Sequence, residues 1–82
     1  HMYFVYVLKS LSASKSYAGM TDNPTRRLNE HNSKSIFYTK RHAPWEIVRQ
    51  EQYDTLKDAH ASEKYLNSAA GRRFLSAEVF KN

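Results

Sequence analysis

The chain has 82 residues, 40% of them apolar, with 13 Lys and Arg against 8 Asp and Glu for a net charge of +5; that length suits one domain and is short for two. It has no cysteine, which rules out disulfides and cysteine-based zinc sites and points to a reducing, cytoplasmic setting. No apolar run approaches the ~20 residues of a membrane span and no signal peptide is visible, so no membrane partner is expected.

Residues 3–8 (Tyr-Phe-Val-Tyr-Val-Leu) join aromatic and β-branched side chains with no polar face. That pattern predicts a strand covered on both sides, central in its sheet. Residues 9–15 are small and polar and read as a hairpin loop. Residues 16–20 form a second short strand, where Gly19 predicts a bulge or a close approach of another group to the backbone. Asn23 is placed to cap a helix and Pro24 suits its first position, where no backbone donor is needed. This helix runs through Arg26, Arg27, Leu28, Glu30 and His31 and ends at Asn32 and Ser33. Residues 33–44 show no period and read as a basic loop closed by Pro44. Residues 45–53 are a third strand with Ile47 and Val48 at its centre. Thr55, followed three residues later by Asp58, resembles a capping box with Asp in place of Glu, and Gly71 is expected to end the second helix. Phe74, Leu75, Glu78 and Val79 predict a short last helix over the core. The order β-β-α-β-α-α makes an α/β domain over residues 2–82, with His1 read as the remnant of an expression tag.

Charge is unevenly spread. Between Lys9 and Arg41 lie seven of the 13 basic residues (Lys9, Lys15, Arg26, Arg27, Lys34, Lys40, Arg41) and two of the 8 acidic ones, Asp22 and Glu30. A concentrated basic surface attracts polyanions, although a solvated face without a partner has the same composition. Leu56, Ala59, Glu63, Leu66 and Ala70 follow a three-four spacing and share a helix face. A carboxylate in such a stripe must be paired, bind a metal or sit at the edge against a Lys or Arg. Arg27 and His31 stand one helical turn apart. Arg offers a forked cation for phosphate and His a proton carrier near neutral pH, though two solvated side chains would look the same. Tyr6 and Tyr17 reach one sheet face if their strands pair, for catalysis or for packing. His31, His42 and His60 lack zinc spacing, and His60 with Glu63 makes only a weak ligand pair.

These features occur in one order. Phe4-Val5-Tyr6 precedes Tyr17-Ala18-Gly19, and the run from Tyr17 through Arg27 to His31 and Asn32 follows without a break. Tyr38-Thr39-Lys40, Pro44-Trp45-Glu46 and Glu63 through Gly71 to Leu75 complete the series. The pattern resembles the GIY-YIG nuclease superfamily, in particular its small single-domain bacterial members, over nearly the whole chain. The resemblance implies a three-stranded antiparallel sheet flanked by helices. It also implies that Tyr6 and Tyr17 are the two motif tyrosines, Arg27 the catalytic arginine, His31 the helix position held by His or Tyr, and Glu63 the metal-binding glutamate. The chain departs from the pattern in lacking the first motif's leading Gly, in having Ala18 for Ile, and in placing Ala69 and Ala70 where basic residues are common.

The activity so implied is metal-dependent endonucleolytic cleavage of DNA, in repair or recombination. One divalent cation, Mg²⁺ or Mn²⁺, would bind Glu63, since 8 acidic residues without a tight cluster do not suit a two-metal site. Arg27 would hold the scissile phosphate. Tyr6 or Tyr17 would take the proton of an attacking water and His31 would relay it. A phenol titrates near pH 10, so a base at pH 7 needs its pKa lowered by about three, worth about 4 kcal/mol, by nearby cations. Lys15, Arg26, Lys34, Lys40 and Arg41 are the expected nucleic-acid contacts, with weak sequence preference, recognition of DNA shape or a protein partner that supplies targeting. Two other functions share the sequence: a non-catalytic nucleic-acid-binding module, and a protein-interaction domain in which the basic segment is incidental.

Overall fold

The computed structural model describes residues 2–33 and 39–78. Three strands, β1 (Tyr3–Ser10), β2 (Ser16–Thr21) and β3 (Trp45–Tyr53), form an antiparallel sheet in the order β2-β1-β3. The helices are α1 (Pro24–Asn32), α2 (Leu56–Leu66) and α3 (Ala69–Glu78), with a single 3-10 turn at Lys40–His42 inside the stretch read as loop. The predicted order of elements is the observed one.

β1 is central because both of its faces are apolar. Val5, Tyr6, Val7 and Leu8 are all at most 1% exposed. Side chains alternate across a strand, so Val5 and Val7 face one layer and Tyr6 and Leu8 the other. Val5, Val7 and Ala18 pack with Ala59 and Leu66 of α2 and Leu75 of α3. Tyr6 and Leu8 pack with Trp45, Tyr17, Ile47 and Leu28 of α1. The sheet is thus covered by α2 and α3 on one side and α1 on the other. Each such apolar side chain contributes about 1.5–3 kcal/mol when fully buried.

The caps fall where the sequence puts them. The Asn23 side chain accepts from the Arg26 N–H with Pro24 opening α1, and Thr55 accepts from the Asp58 N–H at the start of α2. A polar set fastens α2 and α3 to β3. The Tyr53 hydroxyl lies 3.0 Å from Glu51 Oε1 and 2.9 Å from Ser62 Oγ, and Arg49 pairs with Glu51 at 3.0 Å while lying over the Phe74 ring.

Two expectations about the C-terminal half are corrected. Gly71 does not end α2, which stops at Leu66 with Asn67 as its cap; Gly71 lies buried within α3. A Cβ there would collide with the Tyr65 carbonyl oxygen and stand 2.6 Å from Leu66 Cα, so this glycine lets α3 cross against the end of α2. The expected single stripe also divides: Ala59 and Leu66 are buried, Glu63 is half-buried, Leu56 at the start of α2 is exposed, and Ala70, beyond the break at Asn67, is exposed. Val79 lies outside the described residues.

Candidate active site

The hairpin register sets Tyr6 opposite Gly19 and Leu8 opposite Tyr17. Both tyrosines therefore project from one face as diagonal neighbours, their ring centroids 6.5 Å apart. Gly19 makes this possible. A Cβ there would collide with Tyr6 Oη, lie 2.6 Å from Tyr6 Cζ and approach Tyr17 Cε2 to 3.1 Å. The close approach expected at Gly19 is therefore that of the Tyr6 phenol.

α1 covers this face and delivers two groups to it. His31 is 0% exposed, with ring centroids 6.0 Å from Tyr6 and 5.4 Å from Tyr17. Its Nε2 lies 3.1 Å from Tyr6 Oη and its Nδ1 2.7 Å from Thr39 Oγ1. One turn earlier, the Arg27 guanidinium faces the Tyr6 oxygen and is held by Glu30 at 2.9 Å. The Arg27 side chain is 35% exposed, so it stands between the buried phenol and solvent. Glu63 of α2 is half-buried, and its carboxylate has no hydrogen bond or ion pair among the described residues. It is near enough to Tyr6 to act on its ionisation. The helix pair is not simply solvated, since His31 is buried against the Tyr6 phenol that Arg27 also faces, and Glu63 has no ion pair among the described residues.

Burial dominates the electrostatics of that phenol. Burial pushes the Tyr6 pKa above the usual 10, Arg27 draws it back, and Tyr17 and Glu63 push it further up. The net direction is upward, because the loss of water around a phenolate outweighs one partly exposed guanidinium. Among the described residues, Arg27 alone does not offset the burial of the phenol. His31 is shifted down by burial and by Arg27, against a smaller opposing pull from Glu30, so its ring is neutral at pH 7.

The profile of the GIY-YIG catalytic domain matches residues 2–74. The chain belongs to the GIY-YIG family. It is 40% identical over 57 residues to a structure-specific endonuclease subunit SLX1 homolog of Drosophila mojavensis, an alignment that takes in 58% of this chain and 19% of that protein. It therefore spans about a fifth of that relative's length. It also superposes on the solution structure of the UPF0213 protein BH0048 from Bacillus halodurans, with a TM-score of 0.57 and 24% identity over 94% of this chain and 84% of the other. The second likeness is one of fold.

In this GIY-YIG domain the expected nucleic-acid contacts divide by location. Lys15 is exposed in the β1–β2 turn, and Lys40 and Arg41 are exposed on the 3-10 turn. These two segments are tied together. Ser10 Oγ donates to the His42 carbonyl at 2.6 Å, Ser12 Oγ to the His42 and Ala43 carbonyls at 3.2 Å, and the Leu11 N–H to the Pro44 carbonyl at 2.9 Å. Arg26 is exposed as well but pairs with Asp22 at 2.9 Å and Glu30 at 3.7 Å. Lys34 lies outside the described residues. His60 is exposed, and among the described residues no three His, Asp or Glu side chains converge on a common point.

Four residues of the site's surroundings carried no assigned role in the sequence reading. Glu30 holds Arg27. Asn32 bonds both the N–H and the carbonyl of Trp45, and the Trp45 indole donates to the Thr39 carbonyl at 2.9 Å. Thr39 in turn meets His31. The i,i+3 spacing of Arg27 and Glu30 was a usable signal; the others depend on a chain reversal that no local pattern encodes.

Proposed function

We propose that this GIY-YIG domain is a metal-dependent endonuclease that hydrolyses phosphodiester bonds of DNA, with repair or recombination as its setting. The observation that carries this reading is the convergence of Arg27, His31 and Tyr17, from two elements, on the Tyr6 phenol of a third, with Glu63 of α2 near enough to raise its pKa. Membership of a nuclease family and likeness to an endonuclease subunit support it.

The residues present fit a divalent cation. Mg²⁺ is commonly held by one or two carboxylates while keeping its waters and taking up substrate phosphate oxygens, and Glu63 offers a half-buried carboxylate with no described partner. When bound, the cation supplies positive charge to a phosphate oxygen. Arg27 presents its fork at the solvent side of the phenol and offsets charge that builds on the phosphate. Tyr6, with Arg27 and His31 on its oxygen and Tyr17 beside its ring, is the group best placed to receive a proton from the attacking water. Lys15, Lys40 and Arg41 flank the β2 end of the site and would track the phosphate backbone; Arg26 and Lys34 extend that basic segment. DNA is the proposed partner, and a second protein would supply targeting.

The test uses end-labelled duplex, flap, four-way junction and single-stranded DNA with Mg²⁺ or Mn²⁺. Cleavage is expected that EDTA stops and that Glu63→Ala lowers by a factor of about 100 or more, in the range for removing a central electrostatic group, while binding persists. Salt-sensitive binding without cleavage of any substrate would instead favour the non-catalytic binding module.

A further inference from the structure

Three hydroxyl and imidazole groups form a line into the site. Thr39 Oγ1 lies 2.7 Å from His31 Nδ1, and His31 Nε2 lies 3.1 Å from Tyr6 Oη. Thr39, His31 and Tyr6 are each at most 1% exposed. The line contains three protons when His31 is neutral, one on each residue, and only two gaps to bridge. One proton must therefore point out of the line, and which one decides what Tyr6 can do.

Each end has a different exit. At the inner end, Thr39 is closed in: its carbonyl accepts from the Trp45 indole and the His42 N–H, and its hydroxyl has His31 as its one partner among the described residues. Among the described residues, a buried hydroxyl proton turned away from Nδ1 meets no acceptor, which would cost about 1–3 kcal/mol. At the outer end, Tyr6 Oη faces Arg27 and lies within the influence of Glu63, where substrate and water arrive in the proposed function. The spare proton belongs at that end.

We propose that Thr39 is a positioning residue whose hydroxyl donates to His31 Nδ1 and so fixes the Nε2–H tautomer, which donates to Tyr6 Oη. His31 is then a donor to the phenol oxygen and not the acceptor of its proton, which replaces the relay role expected of it. Every hydrogen bond in the line runs toward Tyr6, and Arg27 reaches the same oxygen from the other side. The network has no spare proton once Tyr6 gives up its own, so the arrangement favours the phenolate in the proposed reaction. Among the described residues, the remaining charged or titratable groups around this oxygen are Tyr17 on β2, Glu30 on α1 and Glu63 on α2. None of them reaches His31 Nδ1, whose partner is Thr39.

The inference rests on the nuclease reading for its consequence and on the geometry alone for its content, and two measurements separate these. Long-range ¹H–¹⁵N correlations of the His31 ring distinguish the protonated from the bare nitrogen. The wild-type protein is expected to show Nε2–H; an Nδ1–H ring overturns the proposal without any variant. In Thr39→Val both tautomers are expected, and in Thr39→Ser the Nε2–H form returns. On a cleaved DNA substrate, Thr39→Val is expected to lower kcat about tenfold with KM little changed, a part of what a positioned proton-transfer group provides, and Thr39→Ser to restore it. A Thr39→Val protein with both wild-type tautomer and wild-type kcat overturns the proposal. If the wild type cleaves nothing, the nuclease reading fails, and the tautomer still decides the role of Thr39.

Discussion

At the scale of single residues, burial governs the two titratable groups that touch. Removing water costs the charged form most, so Tyr6 moves up and His31 moves down, and each shift has a measurable sign. A base must be deprotonated, and below its pKa the deprotonated fraction grows about tenfold per pH unit. With Tyr6 held above 10 before any cation binds, cleavage is expected to climb steadily across pH 6, 7, 8 and 9; a flat profile would count against a phenolic base. His31 works in the opposite window. Its folded pKa lies below that of the unfolded ring, about 6.5, so the unfolded chain takes up a proton that the folded chain refuses. Its contribution to stability is present above pH 6.5 and is lost as pH falls toward the folded pKa. Thermal unfolding is expected at lower temperature at pH 5.5 than at pH 7.5, with the His31 ring titrating below pH 6.5; greater stability at pH 5.5 would refute the assignment.

At the scale of elements, two glycines hold places where backbones or rings meet, and α3 shows which force decides. Replacing Gly71 by Ala improves helix propensity by about 1 kcal/mol, yet the new methyl would collide with the Tyr65 carbonyl and lie 2.6 Å from Leu66 Cα. Backbone atoms at a helix junction cannot swing aside, so the collision is expected to win: Gly71→Ala should lower stability by about 1–3 kcal/mol, as overpacked sites do, measured by urea denaturation. A neutral or stabilising result would mean that α3 can slide on α2. The same position shows where the sequence was legible and where it was not. Strands, caps and helix starts follow from local rules: aromatic and β-branched runs in β1, Asn23 with Pro24 ahead of α1, Thr55 ahead of α2. The five candidate site residues follow from motif order, and the structure gathers four of them, Tyr6, Tyr17, Arg27 and His31, about one phenol. Gly71 was misread because a glycine that ends a helix and one that admits a crossing helix look alike until the crossing partner is known. Thr39 carries no sequence signal for a similar reason: its meaning lies in a contact with His31, eight residues away, beside the Asn32–Trp45 hydrogen bonds. Basic composition hints at cations near Tyr6 but says nothing about how dry the phenol is.

At the scale of the whole molecule, the net charge of +5 overstates what is available to a polyanion at any one place, because several arginines already have partners. Arg26 meets Asp22 and Glu30, Arg27 meets Glu30, and Arg49 meets Glu51. Lys15 and Arg41 are exposed, with no ion pair among the described residues, on segments that Ser10 and Ser12 bind together at the end where Tyr17 enters β2. A cation that neutralises one phosphate releases condensed counterions and adds about 0.9 to the slope of log affinity against log salt on duplex DNA. In a Glu63→Ala background, where cleavage does not interfere, Lys15→Ala and Arg41→Ala are each expected to flatten that slope by about one and to weaken binding alike for unrelated sequences. Arg26→Ala is expected to change it less, since its charge is offset by two carboxylates before DNA arrives. Anisotropy titrations over about 50–200 mM salt, the range in which such slopes are steep, read this directly. If both exposed cations leave the slope unchanged while Arg26 reduces it, the nucleic acid lies along the outer face of α1, and the Asp22 and Glu30 pairs open on binding. If no substitution changes it, the basic segment is incidental and the protein-interaction reading gains the ground that DNA binding loses.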